Sequence, residues 1–425
     1  MNPANPNNPT HPMSSVTAMS GSSAWAGSPL TLGYFAPLPP SPSGVADYAA
    51  VMLSHLRAHG EVRVNEGGHI NLYHVGNNRL HASILSRALE EPGMVILHDA
   101  LLQHLFLGLM DETTYVTEFV YNYGEWNRPL AATLWQRRAS AMGDLRYFRY
   151  PMLRRLAERS RLMVVHGEAA RRAVLAHCPS AQVAMLPHLT LELIQPVYWV
   201  RPERAVARDH FRQEVLHLAP GELLLGVFGF LRESKRLSAV LRALDRLRAG
   251  GLPVRLLVAG SFASEDYQRT WLPRLRSHPA VLLSGPSNAP SFRQLLEAVD
   301  VCVNLKYPSA GESSGIAARA LALGVPLVLN QGPALAATEL PEGTFAPVQM
   351  GPGEEASLQY TLEWLLRDEP ARRAIAQRGQ QWCRQRMEPD SICRAIWRLA
   401  EAAAAKCPSL TGDQPPRTPQ RSITS

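Results

Sequence analysis

The feature that most narrows the fold of this chain is a recurring unit. A short, almost wholly apolar run leads into a loop of small residues, and the loop leads into a helical stretch. The first copy begins with a strand at residues 32–36. It passes through the loop PLPPSPSG at 37–44 and enters a helix over 45–59, with Val51, Leu53 and Leu56 among the apolar positions. Strand, glycine-containing loop and helix in that order open a Rossmann-type unit. Apolar runs at 70–75, 94–98 and 161–166 repeat the theme, each followed by a helical stretch. Such continuous runs alternating with helices imply a parallel sheet covered on both faces.

A second series follows a linker containing Pro and Arg at 196–202. It predicts strands at 223–228, 254–259, 280–284, 301–305 and 326–330, with helices at 237–247, 291–298 and 314–323. Leu237, Val240, Leu241, Leu244 and Leu247 share one face of the first of these helices. Two series in 425 residues, too long a chain for one ordinary core, predict an α/β protein of two Rossmann-like doubly wound domains facing a cleft. The expected boundaries are a disordered segment 1–28, a first domain 29–198, a second domain 199–388 and a disordered tail 408–425. A closing helix, 390–405, carries Ile392, Ile396 and Leu399 at helical spacing and is expected to return to the first domain. The segment 384–389 would be the crossing and a hinge, because Pro389 interrupts the preceding helix.

Composition restricts the partners. The formal charge is +7 and rests almost wholly on arginine; the lysines are Lys235, Lys306 and Lys406. This charge suits phosphate-bearing substrates or a loose hold on an anionic membrane surface. The arginines are spread rather than striped, which argues against nucleic acid. Five widely spaced cysteines without a CxxC pair argue against disulfides or zinc and for a reducing cytoplasm. The first 28 residues do not read as a signal peptide. No uncharged apolar run reaches the roughly 20 residues of a membrane helix.

Two segments carry chemistry. In YPSAGESSGIAARALALGVPLVL, 307–329, a strand end runs through small residues into a helix. Ser313, Ser314 and Gly315 would present backbone N–H groups at the helix start, a seat for a diphosphate. Glu312 would be a poor phosphate neighbour and suits a sugar or ribose hydroxyl; a solvated first-turn acid would read the same way. In GVFGFLRESKRLSAVLRAL, 226–244, the loop after a strand ends in Lys235 and Arg236. A basic pair there can neutralise a departing diphosphate, and Lys235 is expected to be exposed in the cleft. A charged helix start facing water is the plain alternative.

In this order and spacing the two segments resemble the carboxyl-terminal domain of retaining GT-B glycosyltransferases, family four. That family carries G-x-L-x-x-x-K and then P-x-E-G-F-G-x-x-x-x-E-A-x-x-x-G-x-P. The likeness runs from about residue 32 to 405. Lys235 matches the family's phosphate lysine, and Gly324 and Pro326 match the helix end and strand start. Phe230 stands where the family carries an arginine, and Gly311 and Arg319 stand where it carries glutamates. Glu312 falls one place later, in a GESSG form similar to a recognised variant.

The first domain adds the loop 40–48, PSPSGVADY, with Gly44 as its close-approach point, and two strand ends bearing His74 and His98. His98 resembles the family histidine near the anomeric carbon. His166 and His188 also end apolar runs and read as structural. No D-x-D triplet occurs, so charge neutralisation without a metal, by Lys235, Arg236 and helix dipoles, is expected.

The resemblance implies transfer of a sugar from a nucleotide-diphosphate sugar to a hydroxyl of a glycan, a lipid-linked or a small-molecule acceptor. It implies retention and no cofactor besides the donor. His98, Lys235 and Glu312 would be catalytic; Gly44, Arg236, Ser313, Ser314 and Gly315 would hold the donor. The base would sit near residues 284–287. A catalytically inactive GT-B partner protein and a sugar-nucleotide epimerase are the alternatives. A phosphorylase would need a pyridoxal lysine, for which none of the three is well placed.

Overall fold

The computed structural model describes residues 29–286, 289–309, 311–331 and 340–405. The two segments expected to be disordered, and Ser287 of the expected base site, lie outside these residues. The first sheet contains β1 (Thr31–Phe35), β2 (Glu61–Val64), β3 (Ile70–Val75), β4 (Met94–Leu97), β5 (Leu162–Val165) and β6 (Val183–Met185). The second contains β7 (Leu223–Phe228), β8 (Val254–Ala259), β9 (Val281–Ser284), β10 (Val301–Val303), β11 (Leu327–Gln331) and β12 (Ala346–Gln349). The orders are β2-β1-β3-β4-β5-β6 and β12-β11-β10-β7-β8-β9. Every pairing is parallel.

The central strands are apolar on both faces because both faces are covered. Tyr73, Val95 and Leu97 enter one core layer of the first sheet, and Leu72, Met94 and Ile96 enter the other. Strand order reverses between β1 and β3 in the first sheet and between β7 and β10 in the second. Each reversal opens a crevice at the carboxyl ends of the strands, where ligands of open α/β sheets bind.

Six helices matter below: α1 (Gly44–Leu56), α2 (Leu237–Ala249), α3 (Gly315–Leu323), α4 (Glu354–Arg367), α5 (Glu369–Arg386) and α6 (Pro389–Ala405). The closing helix α6 returns to the first sheet. It buries Ile392, Ile396 and Trp397 in the core layer that holds Tyr34, Met52 and Leu56. The Trp397 ring covers Gly60 so closely that a Cβ there would lie 2.3 Å from it. The crossing is shorter than the sequence predicts. The helix α5 runs on to Arg386, leaving Met387 and Glu388 between helices. Pro389 begins α6, where its missing N–H would have had no partner in any case. Among the described residues no helix is long and apolar enough to cross a membrane.

Candidate active site

The crevice between β7 and β10 is bridged by side chains. Lys235 follows β7 in a single turn of 3-10 helix. Its Nζ donates to Asn304 Oδ1 at 2.8 Å, and Asn304 Nδ2 donates to Ser314 Oγ at 2.9 Å. Ser314 caps α3 by accepting from the Ala317 N–H at 3.2 Å. Lys235 is therefore fixed, and it is buried, 5% exposed, rather than exposed as the sequence suggested. Burial, followed by the positive charges of Lys306 and Arg232, lowers its ammonium pKa to about 7.

Glu312 is buried beside this chain. Its Oε1 lies 3.3 Å from Arg232 Nη2 and 3.5 Å from Lys306 Nζ, and its Oε2 accepts from Ser309 Oγ at 3.1 Å. Three cations, Lys235, Lys306 and Arg232, thus converge around one carboxylate at the start of α3. Lys306 and Arg232 are not among the residues predicted from sequence. Arg236 points elsewhere: its backbone is left-handed, φ 55°, and its guanidinium binds the Glu354 carboxylate of α4 at 2.8 and 2.6 Å. Arg232 is the arginine beside Glu312, and Phe230 is half exposed.

The N-terminus of α3 is open. Nothing lies within 4 Å of the position a Cβ would take on Gly315, and the same holds for Gly44 at the start of α1. Ser313 and Ser314 are half-buried beside it. Gly311 makes the turn before the helix at φ 65°, and a Cβ there would lie 2.9 Å from the Ala100 side chain of the first domain. Arg319, further along α3, ties the domains together. One nitrogen meets Asp47 of α1 at 3.0 Å and another meets Glu192.

The opposing wall is built of histidines. His98 and His166 stand one residue beyond Leu97 and Val165, which are register partners. His74 Nδ1 and His98 Nε2 share a hydrogen bond of 3.0 Å. The rings of His74, His98, His166 and His188 surround Tyr48 at centroid distances of 5.9, 4.9, 5.5 and 4.7 Å. Burial holds all four pKa values down. His74 and His188 sit at about 3 and His166 at about 4, while the other histidines lower His98 further. The wall is neutral at ordinary pH. His166 and His188, read as structural from sequence, belong to it. Asp99, which follows His98 in the chain, accepts from the Asn77 N–H at 2.8 Å. Its pKa is raised by burial and then by the negative charge of Glu312. A cavity of about 440 Å³ opens between the two walls, lined by His166, His188, Asn304, Lys306 and Glu312 among others.

Solved structures share this fold. The chain aligns over 87% of its length, and over 99% of the other chain, with Anabaena HepE in complex with UDP and glucose, at TM-score 0.56 and 16% identity. Against the sucrose-phosphate synthase of Thermosynechococcus elongatus the TM-score is 0.60 at 14% identity, over 89% and 100% of the two chains. Against WaaG, a glycosyltransferase involved in lipopolysaccharide biosynthesis, it is 0.53 at 15% identity, over 87% and 99%. The chain has the GT-B fold. No family model and no curated protein matches the sequence. Within the GT-B frame the cationic cluster lies on the second domain and the histidine wall on the first, facing each other.

Proposed function

We propose that this protein is a glycosyltransferase that moves a sugar from a nucleotide-diphosphate sugar to an acceptor hydroxyl, with retention and without a metal. The observation that carries this reading is the Lys235–Asn304–Ser314 chain across the β7/β10 crevice, beside the open start of α3. A diphosphate seated there meets backbone N–H groups and the positive end of a helix. It also meets Lys235, Lys306 and Arg232. As the anomeric C–O bond breaks, the electron pair leaves on the diphosphate oxygen, where these cations stabilise it more than they do in the ground state. The acceptor oxygen bonds to the anomeric carbon on the same face, and its proton passes to the departing phosphate oxygen. Glu312 then holds a donor hydroxyl, and neutral His98 packs beside the sugar without competing for the phosphate. The UDP and glucose named with HepE are consistent with a nucleotide sugar as donor.

The test is a thermal-shift screen of nucleoside diphosphates and nucleotide sugars, followed by detection of free diphosphate in an assay with acceptors. A bound donor raises the unfolding temperature with the logarithm of its concentration. A chain that no nucleotide stabilises does not have this function. The inactive-partner reading draws on Arg319, held by Asp47 and Glu192 where the family pattern has a glutamate; donor binding without turnover at any acceptor would favour it.

A further inference from the structure

The cavity between the walls extends past the cationic cluster along one flank of α3. Ser314, Ala317, Ala318 and Leu321 line it, the spacing of one helical face. Arg319 projects from another face, over the Phe292 ring at 5.4 Å. The cavity therefore reaches the β10/β11 side of α3, and it shares Asn304, Lys306, Glu312, Ser313 and Ser314 with the β7/β10 crevice assigned above to the donor. Its lining is mixed. Lys306, Asn304 and His166 are among its polar lining, with Gln385 and Arg386, and Met185, Leu321, Leu329, Trp382 and Met387 among its apolar lining; Met185, the register partner of Val165, stands beside His166. His166 Nδ1 faces the Leu186 carbonyl at 3.0 Å, so Nδ1 carries the proton and Nε2 is left as an acceptor. That Nε2 is buried and has no hydrogen-bond partner, in a residue 7% exposed. A buried acceptor of this kind costs free energy unless a ligand fills its valence. The volume, about 440 Å³, is in the range of small-molecule sites.

We propose that this cavity seats the acceptor of the transfer, and that the acceptor is an amphiphile. Its hydroxyl donates to His166 Nε2 next to the donor's diphosphate, and its apolar body lies along Met185, Leu321 and Trp382. The acceptor role rests on the donor reading given above; the ligand class rests on the cavity alone.

The experiment is calorimetric titration of the full chain with phenol and with 4-ethyl-, 4-butyl- and 4-hexylphenol. Each is run with and without whichever of UDP, GDP, ADP or dTDP gives the largest thermal shift. Affinity should rise about fourfold per added methylene until the cavity is full, and a saturating nucleotide should not displace the ligand. The matching 4-alkylanisoles, which cannot donate, should bind about tenfold more weakly. Met185 is half exposed on the last strand of its sheet. Met185→Trp should therefore fill the mouth and weaken alkylphenol binding at least tenfold, while the unfolding temperature and nucleotide affinity stay as they were. Three results would overturn the proposal: affinity independent of chain length, displacement by the nucleotide, or no effect of Met185→Trp. Alkylphenol binding lost with nucleotide binding intact removes the cavity proposal alone. Nucleotide binding absent with alkylphenol binding intact removes the donor reading and the acceptor role with it.

Discussion

On the first-domain wall of the cleft, His74, His98, His166 and His188 are buried and uncharged, packed around one tyrosine. On the second-domain wall, Lys235, Lys306 and Arg232 are crowded about Glu312. Both walls bury titratable groups, but by different physical routes. Imidazoles accept burial by giving up their protons, which costs little near neutral pH. Lys235 is held at the edge of losing its proton, at about 7. Under the proposed function the contrast divides the labour of a group transfer. One wall shapes and orients without charge; the other stores positive charge that a leaving diphosphate can use.

The largest test of this contrast removes the support of the neutral wall. Truncation after Glu388 deletes α6, which covers the first domain but none of the cationic cluster. Since Trp→Ala changes in a core cost about 3–5 kcal/mol each, loss of Trp397 together with Ile392 and Ile396 should lower stability by at least about 5 kcal/mol, read from the denaturant midpoint. An unchanged midpoint would detach α6 from the first domain. Next in size, Lys235→Met should cut turnover by about 10²-fold or more, the scale of one preorganised electrostatic group, while the protein stays folded by circular dichroism. Near-normal turnover would move the catalytic charge elsewhere. Glu312→Gln should weaken donor binding by about 1.5–3 kcal/mol, the range for a hydrogen bond to a charged group; titration with the donor sugar nucleotide reads it directly.

The pH dependence separates the walls. Lys235 has a depressed pKa of about 7 in the free protein, and a bound diphosphate raises it. Binding then takes up a proton, so diphosphate affinity should fall as pH rises above about 7, by up to about tenfold per unit. Lys235→Met should flatten that slope. A slope centred near pH 4 that survives in the mutant would assign it to the histidines instead. The smallest expected effect is none: a chelator should leave turnover unchanged if Lys235, Lys306 and Arg232 carry the charge, and loss of turnover restored by magnesium or manganese would overturn that account.

Much of the architecture was legible because parallel strands, buried on both faces, are written as apolar runs. β7 and β8 fall at the predicted residues, and β3 does as well. The edge strands β2, β6 and β12 were not anticipated. Glu61–Val64 is half exposed and alternates charge with valine, so it carries no such run. The histidine wall was half visible. His74 and His98 were paired by their positions at strand ends, and His166 ends an apolar run in the same way. Joining it required the register that sets Leu97 beside Val165. The cationic cluster was harder to read. Lys235 was found by its place after a strand, but its burial depends on Asn304, 69 residues away. Arg236 was singled out because it adjoins the lysine, and Arg232 was missed; the left-handed turn at Arg236 sends its side chain to Glu354.

The chain passes between the domains twice, near Thr190 and again at Met387, and the two passages are bonded to each other, Thr190 N–H to Met387 carbonyl at 2.8 Å. Two tethers far apart would fix a long axis across the molecule, as two hinges do for a door. A single tether would leave the halves free to swing and twist in any direction. Two tethers pinned together behave as one axle. They favour one rotation over sliding, so a closing movement about them would bring the same side chains to the same partners.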